Sequence, residues 1–203
     1  MLRRKSLVAA LTVLLGMAGN AQTPAPNDVA APTFRVQVWG YLDAEFSARV
    51  SRYFELRQTL QKGERALVVS DDPAEIRRAR RTLAKRIQAA RRLARQGDIF
   101  TPPVAAAFKS ALLLEMTPAM WAAVMDDNPG EFSHDINGIY PGGKPFSTVP
   151  GQILAALPSL PDDIQYRFVG RHLVLFDVRA GVIVDRIPYA IQCANCDERD
   201  DEH

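Results

Sequence analysis

Residues 164–187 read IQYRFV, GR, HLVLFD, VRAG, VIVDRI, and this stretch decides the fold. Three six-residue runs rich in β-branched and aromatic residues are separated by a two-residue and a four-residue connection, the pattern of an antiparallel meander. Gly170-Arg171 suits a tight hairpin turn with glycine in its first position. That turn pairs Val169 with His172, Tyr166 with Leu175 and Arg167 with Val174. If Asp177 pairs with Val182, then Leu175 meets Val184 and Val174 meets Asp185. Ile164, Tyr166, Phe168, Leu173, Leu175, Val182 and Val184 then form one apolar face. Gln165, Arg167, Val169, His172, Val174, Phe176, Ile183, Asp185 and Ile187 form the other. On this second face Arg167 and Asp185 flank Val174, with backbones roughly 10 Å apart.

Outward from the meander the chain is helical. Asp72, Pro73 and Glu75 form a start signal with a capping side chain, a proline at the first position and a capping-box carboxylate. The helix they open is predicted to run to Gln96, with Gly97 as its stop. Ile76, Ala79, Leu83, Ile87, Ala90 and Ala94 make its apolar stripe. Nine basic residues stand against one acid between Pro73 and Gln96, and Arg77, Arg81, Lys85 and Arg92 lie off the stripe. This row reads either as a solvated face or as a docking surface for an anion. No aromatic residue interleaves with it, which argues against nucleic acid.

Thr101-Pro102 and Thr117-Pro118 start two further helices, and a short one follows Pro150. An earlier helical region begins at Asp43, with Phe46, Val50, Tyr53 and Leu60 at helical spacing. Phe34 to Val38 alternates like a short strand. Residues 128–147 carry the turn signals Pro129-Gly130, Asn137-Gly138 and Pro141-Gly142-Gly143. The fold class expected is therefore α+β, a helical layer on one face of a small C-terminal three-stranded antiparallel meander.

The 203 residues are 47% hydrophobic and 24% charged, which excludes collagen-like, largely disordered and polytopic membrane chains. Arg3, Arg4 and Lys5 precede an apolar stretch over residues 7–17, and Gly19-Asn20-Ala21 offers a signal-peptidase site. The organisation expected is a signal peptide over 1–21, a proline-containing linker over 22–33, one domain over 34–190 and an acidic tail over 191–203. No Cys precedes Cys193, so the exported protein is not a lipoprotein. Losing 1–21 removes three positive charges and takes the net charge from +2 to −1.

Cys193 and Cys196 have C-x-x-C spacing without the histidine of haem attachment, and in an oxidising compartment they are a disulfide candidate. No metal or cofactor motif is read. No acid, base and nucleophile assemble into a catalytic motif, so the function expected is a non-catalytic exported binding or accessory domain. Its partner would be an envelope protein, an anionic surface, or a second copy meeting the open sheet face that carries Arg167, His172, Val174, Phe176 and Asp185. The alternative is a hydrolase-like enzyme using His134, Asp135, Tyr140 or Asp185 beside the Gly-rich loop.

Several runs carry a resemblance. Leu157-Pro158-Ser159-Leu160-Pro161, Tyr166-Arg167-Phe168-Val169-Gly170-Arg171, Leu173-Val174-Leu175, Asp177 and Ile183-Val184-Asp185 resemble a segment of a group of small exported bacterial proteins of uncharacterised function. The runs 71–76 and 95–101 extend the likeness upstream. The hairpin is also similar to periplasmic RcnB-like domains, which would imply a part in metal homeostasis.

Overall fold

The computed structural model describes residues 30–63, 70–128, 130, 132–133, 135–145, 147 and 149–191. Among these residues, five helices precede a three-stranded antiparallel sheet: α1 (Ala30–Gln61), α2 (Pro73–Ala90), α3 (Pro102–Glu115), α4 (Pro118–Asp126), α5 (Gly151–Ala156), β1 (Ile164–Val169), β2 (His172–Asp177) and β3 (Val182–Ile187). The sheet order is β1-β2-β3. The expected α+β architecture and all three strand boundaries stand. The proposed signal peptide, His134, Cys193, Cys196 and the acidic run lie outside the described residues.

The β1–β2 register is the one the hairpin turn dictates, from Ile164 opposite Asp177 to Val169 opposite His172. Gly170 has φ 54°, the left-handed backbone that glycine adopts without steric cost. Between β2 and β3 the expected register holds only for Asp177–Val182 and Phe176–Ile183. A bulge then places Asp185 opposite Leu175, and Arg186, not Asp185, opposite Val174. The extra residue turns Ile187 into the core beside Val184.

The helices cover the predicted apolar face. Ile164, Tyr166, Phe168, Leu173, Leu175, Val182 and Val184 join one core with residues of α1, α2, α3, α4 and α5. Phe46 of α1 bridges the layers, 5.3 Å from the Phe100 ring and 5.0 Å from Phe108, whose ring lies 5.9 Å from Tyr166. α1 touches both α2 and α3, and α5 lies against α3.

Three boundaries differ from expectation. Residues 34–38 are helical, not a strand, and 30–33 of the expected linker are helical too. Five alternating residues do not make a strand without an edge to pair with, whereas extending an existing helix needs no new nucleus. α2 stops at Ala90 instead of Gln96: the Arg91 N–H closes the last turn on the Ile87 carbonyl, its backbone leaves helical geometry at φ −110°, ψ 30°, and its side chain is held inward by Asn137 and the Val184 carbonyl. Ile191, assigned to the tail, is buried in the core, and its N–H donates to the Arg171 carbonyl.

Candidate functional site

The cationic helix is positioned by its buried side. Asp72 accepts from the Ala74 N–H at 2.8 Å to cap α2, and Ala79, Leu83, Ala84 and Ile87 are buried. At 100° per residue, Arg78, Arg81 and Lys85 lie on the line opposite these residues. Ile76, expected in the apolar stripe, is 38% exposed at the first turn.

The basic residues of this segment divide into two groups. Arg91 is drawn inward: its guanidinium donates to Asn137 Oδ1 at 2.7 Å and to the Val184 carbonyl at 3.2 Å, and lies over the Tyr53 ring. Asn137 returns a bond from Nδ2 to the Arg91 carbonyl at 2.8 Å, satisfying a group at the helix end. Burial pushes the Arg91 guanidinium below its ordinary range, against the opposing pull of Tyr53, Asp185 and Asp98. Arg86 donates to the Leu60 carbonyl at 2.9 Å, and Arg80 packs on Gly181, where a Cβ would meet its Nε at 2.4 Å. Arg77, Arg78, Arg81, Lys85, Arg92 and Arg95 are exposed, as Arg86 is, but their side chains make no such contact among the described residues. Among the described residues no ion pair holds these six side chains.

The second sheet face is closed, which corrects its reading as an open surface for a partner or a second copy. Phe132 and Tyr140 pack over Val169, Val174, Phe176 and Ile183, with the Tyr140 ring 5.3 Å from Phe176 and 4.9 Å from Phe132. Residues 137–140 line the outer edge of β3: Asn137 N–H donates to the Ile183 carbonyl, Ile183 N–H to Gly138, and Tyr140 N–H to Gly181. Arg167, His172, Val174 and Phe176 do share this face, as expected. Arg167 is half-buried, donates to Gln165 Oε1, and has its guanidinium pushed down by burial. His172 is buried, and its Nδ1 accepts from the Tyr189 N–H at 3.2 Å.

Asp185 is not with them. The bulge carries it to the helix side, fully buried, where Oδ1 accepts from Gly97 N–H at 3.0 Å and Oδ2 from Ile99 and Phe100 N–H at 2.7 and 2.8 Å. Asp185 therefore fastens the connection between α2 and α3, and it forms no pair with Arg167.

A further buried polar network escaped the sequence reading. Tyr53 Oη donates to Asp177 Oδ2 at 2.7 Å, and Arg57, only 3% exposed, approaches the same oxygen at 3.6 Å. Arg57 and Arg179 both pair with Asp163, at 3.3 and 2.7 Å. Burial pushes the Asp177 carboxyl up, with the Ala180 N–H, Tyr53 and Arg57 opposing. Burial also pushes the Tyr53 hydroxyl well up, and the Asp177 charge adds to it. One signal was present in the sequence. Alternation along β2 puts Asp177 on the face of Leu173 and Leu175, and a carboxylate there needs donors from the helices. Tyr53 and Arg57 supply them from positions i and i+4 of α1. A depression of about 770 Å³ opens beside this network, lined by Arg57, Lys62, Asp163 and Arg179 among others. Its rim carries both signs of charge, and the central ions pair with one another.

Among the described residues no group of three His, Cys, Asp or Glu side chains forms a metal-binding cluster. Nor is any helix there long and apolar enough to cross a membrane. The chain matches no protein-family model, no curated protein and no solved structure.

Proposed function

We propose that this chain is an exported, non-catalytic binding domain that presents the outward face of α2 to an anionic partner in the cell envelope. Export rests on the basic start, the apolar stretch over residues 7–17 and the small residues before Gln22. The observation that carries the binding role is the division of the α2 cations. Arg91, Arg86 and Arg80 serve the fold, while Arg77, Arg78, Arg81 and Lys85 stand exposed on a helix whose other side is fixed in the core, and Arg92 and Arg95 stand exposed in the turn that follows it. A row of cations held on a rigid element raises the local concentration of an anion without an ordering penalty on the protein side.

The test uses heparin as a soluble polyanion and the protein from Gln22 onward. Binding is expected at low salt and should weaken steeply as salt shortens the Debye length. The triple variant Arg78→Glu, Arg81→Glu, Lys85→Glu should abolish it while leaving the urea unfolding midpoint unchanged. Equal binding by parent and triple variant would remove α2 from the proposal.

A further inference from the structure

The outward face of α2 does not end in charge alone. Leu93, in the turn after the helix, is 76% exposed and sits in sequence between exposed Arg92 and exposed Arg95. It lines an open depression of about 480 Å³ together with Arg92, Ala90, Ala94 and Asp98. The acids of this segment, Asp71, Asp72 and Glu75, cluster at the opposite, N-terminal end of α2. Around the isobutyl group of Leu93, Arg92 and Arg95 therefore outnumber the one nearby exposed acid, Asp98.

From this juxtaposition we infer that the anionic partner of α2 is a lipid leaflet, met with the C-terminal end of the helix foremost. The inference rests on the binding role proposed above and names its partner. Each ingredient has a use at a lipid surface. Arg78, Arg81, Lys85, Arg92 and Arg95 face anionic headgroups, where every cation near the surface adds attraction. Leu93 enters the boundary between headgroups and acyl chains, where it leaves water. A soluble acidic polysaccharide satisfies the arginines equally well but gives Leu93 nothing to bury in. Single-stranded nucleic acid calls for aromatic platforms among the cations, and the row has none. The buried side of α2 stays in the protein core, so the helix docks by its charged face and does not roll its apolar stripe into the membrane. This is peripheral attachment, reversible by salt.

Co-sedimentation of the protein from Gln22 onward with vesicles of mixed phosphatidylglycerol and phosphatidylcholine tests this, with pure phosphatidylcholine vesicles and heparin resin in parallel. The parent protein should bind the anionic vesicles and heparin but not the neutral vesicles. Leu93→Ala should weaken vesicle binding about tenfold and leave heparin binding unchanged. Leu93→Trp should bind the anionic vesicles and shift its emission to the blue on doing so. Heparin binding without vesicle binding overturns the lipid partner and leaves the anion-binding role standing. Loss of both in the parent overturns both. Vesicle binding indifferent to Leu93→Ala, or Leu93→Trp emission that stays at its value in water, overturns the insertion of this side chain.

Discussion

The outer face of α2 and the second face of the sheet carry similar ingredients, arginines set near apolar side chains, and the fold treats them in opposite ways. The sheet face is sealed by its own chain, with Phe132 and Tyr140 laid over Val174, Phe176 and Ile183. The α2 face is left in water. The difference is one of desolvation. Val174, Phe176 and Ile183 are continuous apolar surface whose burial is favourable, and Arg167 at their margin loses only part of its hydration. Covering Arg78, Arg81, Lys85 and Arg92 with protein would strip several cations at once without a matching set of carboxylates. Arg91 shows what inward placement requires: the Asn137 side chain, the Val184 carbonyl and the Tyr53 ring all attend one guanidinium.

Four predictions sharpen this contrast, and the largest concerns what holds α2 in place. Asp185→Ala leaves the Gly97, Ile99 and Phe100 N–H groups without their acceptor and should destabilise the protein by about 4 kcal/mol in urea unfolding. A loss below about 1 kcal/mol would mean that these donors find water and that the latch is dispensable. Phe176→Ala, which empties the sealed face beneath Tyr140, should cost about 3 kcal/mol. If that face is in truth an open surface, the same substitution changes stability by no more than a few tenths. Smaller again is Gly181→Ala, at φ 70° against the Arg80 guanidinium. About 1 kcal/mol is expected, chiefly from the backbone, because the arginine can shift aside.

The fourth prediction is a pH dependence. Burial alone would raise the Asp163 carboxyl, but Arg179 and Arg57 outweigh it and hold the group below its ordinary value. A lowered folded-state pKa contributes stability above the ordinary carboxylate pKa, and the contribution fades as pH falls through the folded value. Asp163→Asn should therefore flatten the acid limb of the stability curve and lower stability at neutral pH. Asp177 has the opposite sign. Its raised pKa means that its contribution is present below the ordinary carboxylate value and is lost as pH rises towards the folded value. An acid limb unmoved by Asp163→Asn would contradict the pairing with Arg179.

The same two faces show what a sequence makes legible. The hairpin register follows from two residues, because Gly170-Arg171 leaves one way to join two runs of fixed period. The core face follows from alternation. The β2–β3 bulge is invisible to alternation, since it serves Asp185, and Asp185 answers backbone groups 85 to 88 positions away. The sealing of the second face is hidden for a related reason. Residues 137–140 have a turn signal and no period, and their role depends on edge pairing with β3 that leaves no mark on local composition. Asp177 lies between these cases. Its place on the core face was readable, and so was its need for a donor, but choosing Tyr53 and Arg57 as the donors required knowing how α1 crosses the sheet. The cationic row was fully legible as a pattern. Which of its members turn inward was not, because Arg91 and Arg92 differ only in the direction each faces at the end of α2.

The measurement that bears most directly on the contrast is an amide chemical-shift titration of the protein from Gln22 onward with a short heparin oligosaccharide at low salt. The account predicts shifts concentrated in α2 and the following turn, over residues 77–95, with residues 132–140 and the strand segment 167–176 unmoved. Shifts gathered on 132–140 and 167–176, with α2 silent, would contradict it and return the binding role to the sheet face.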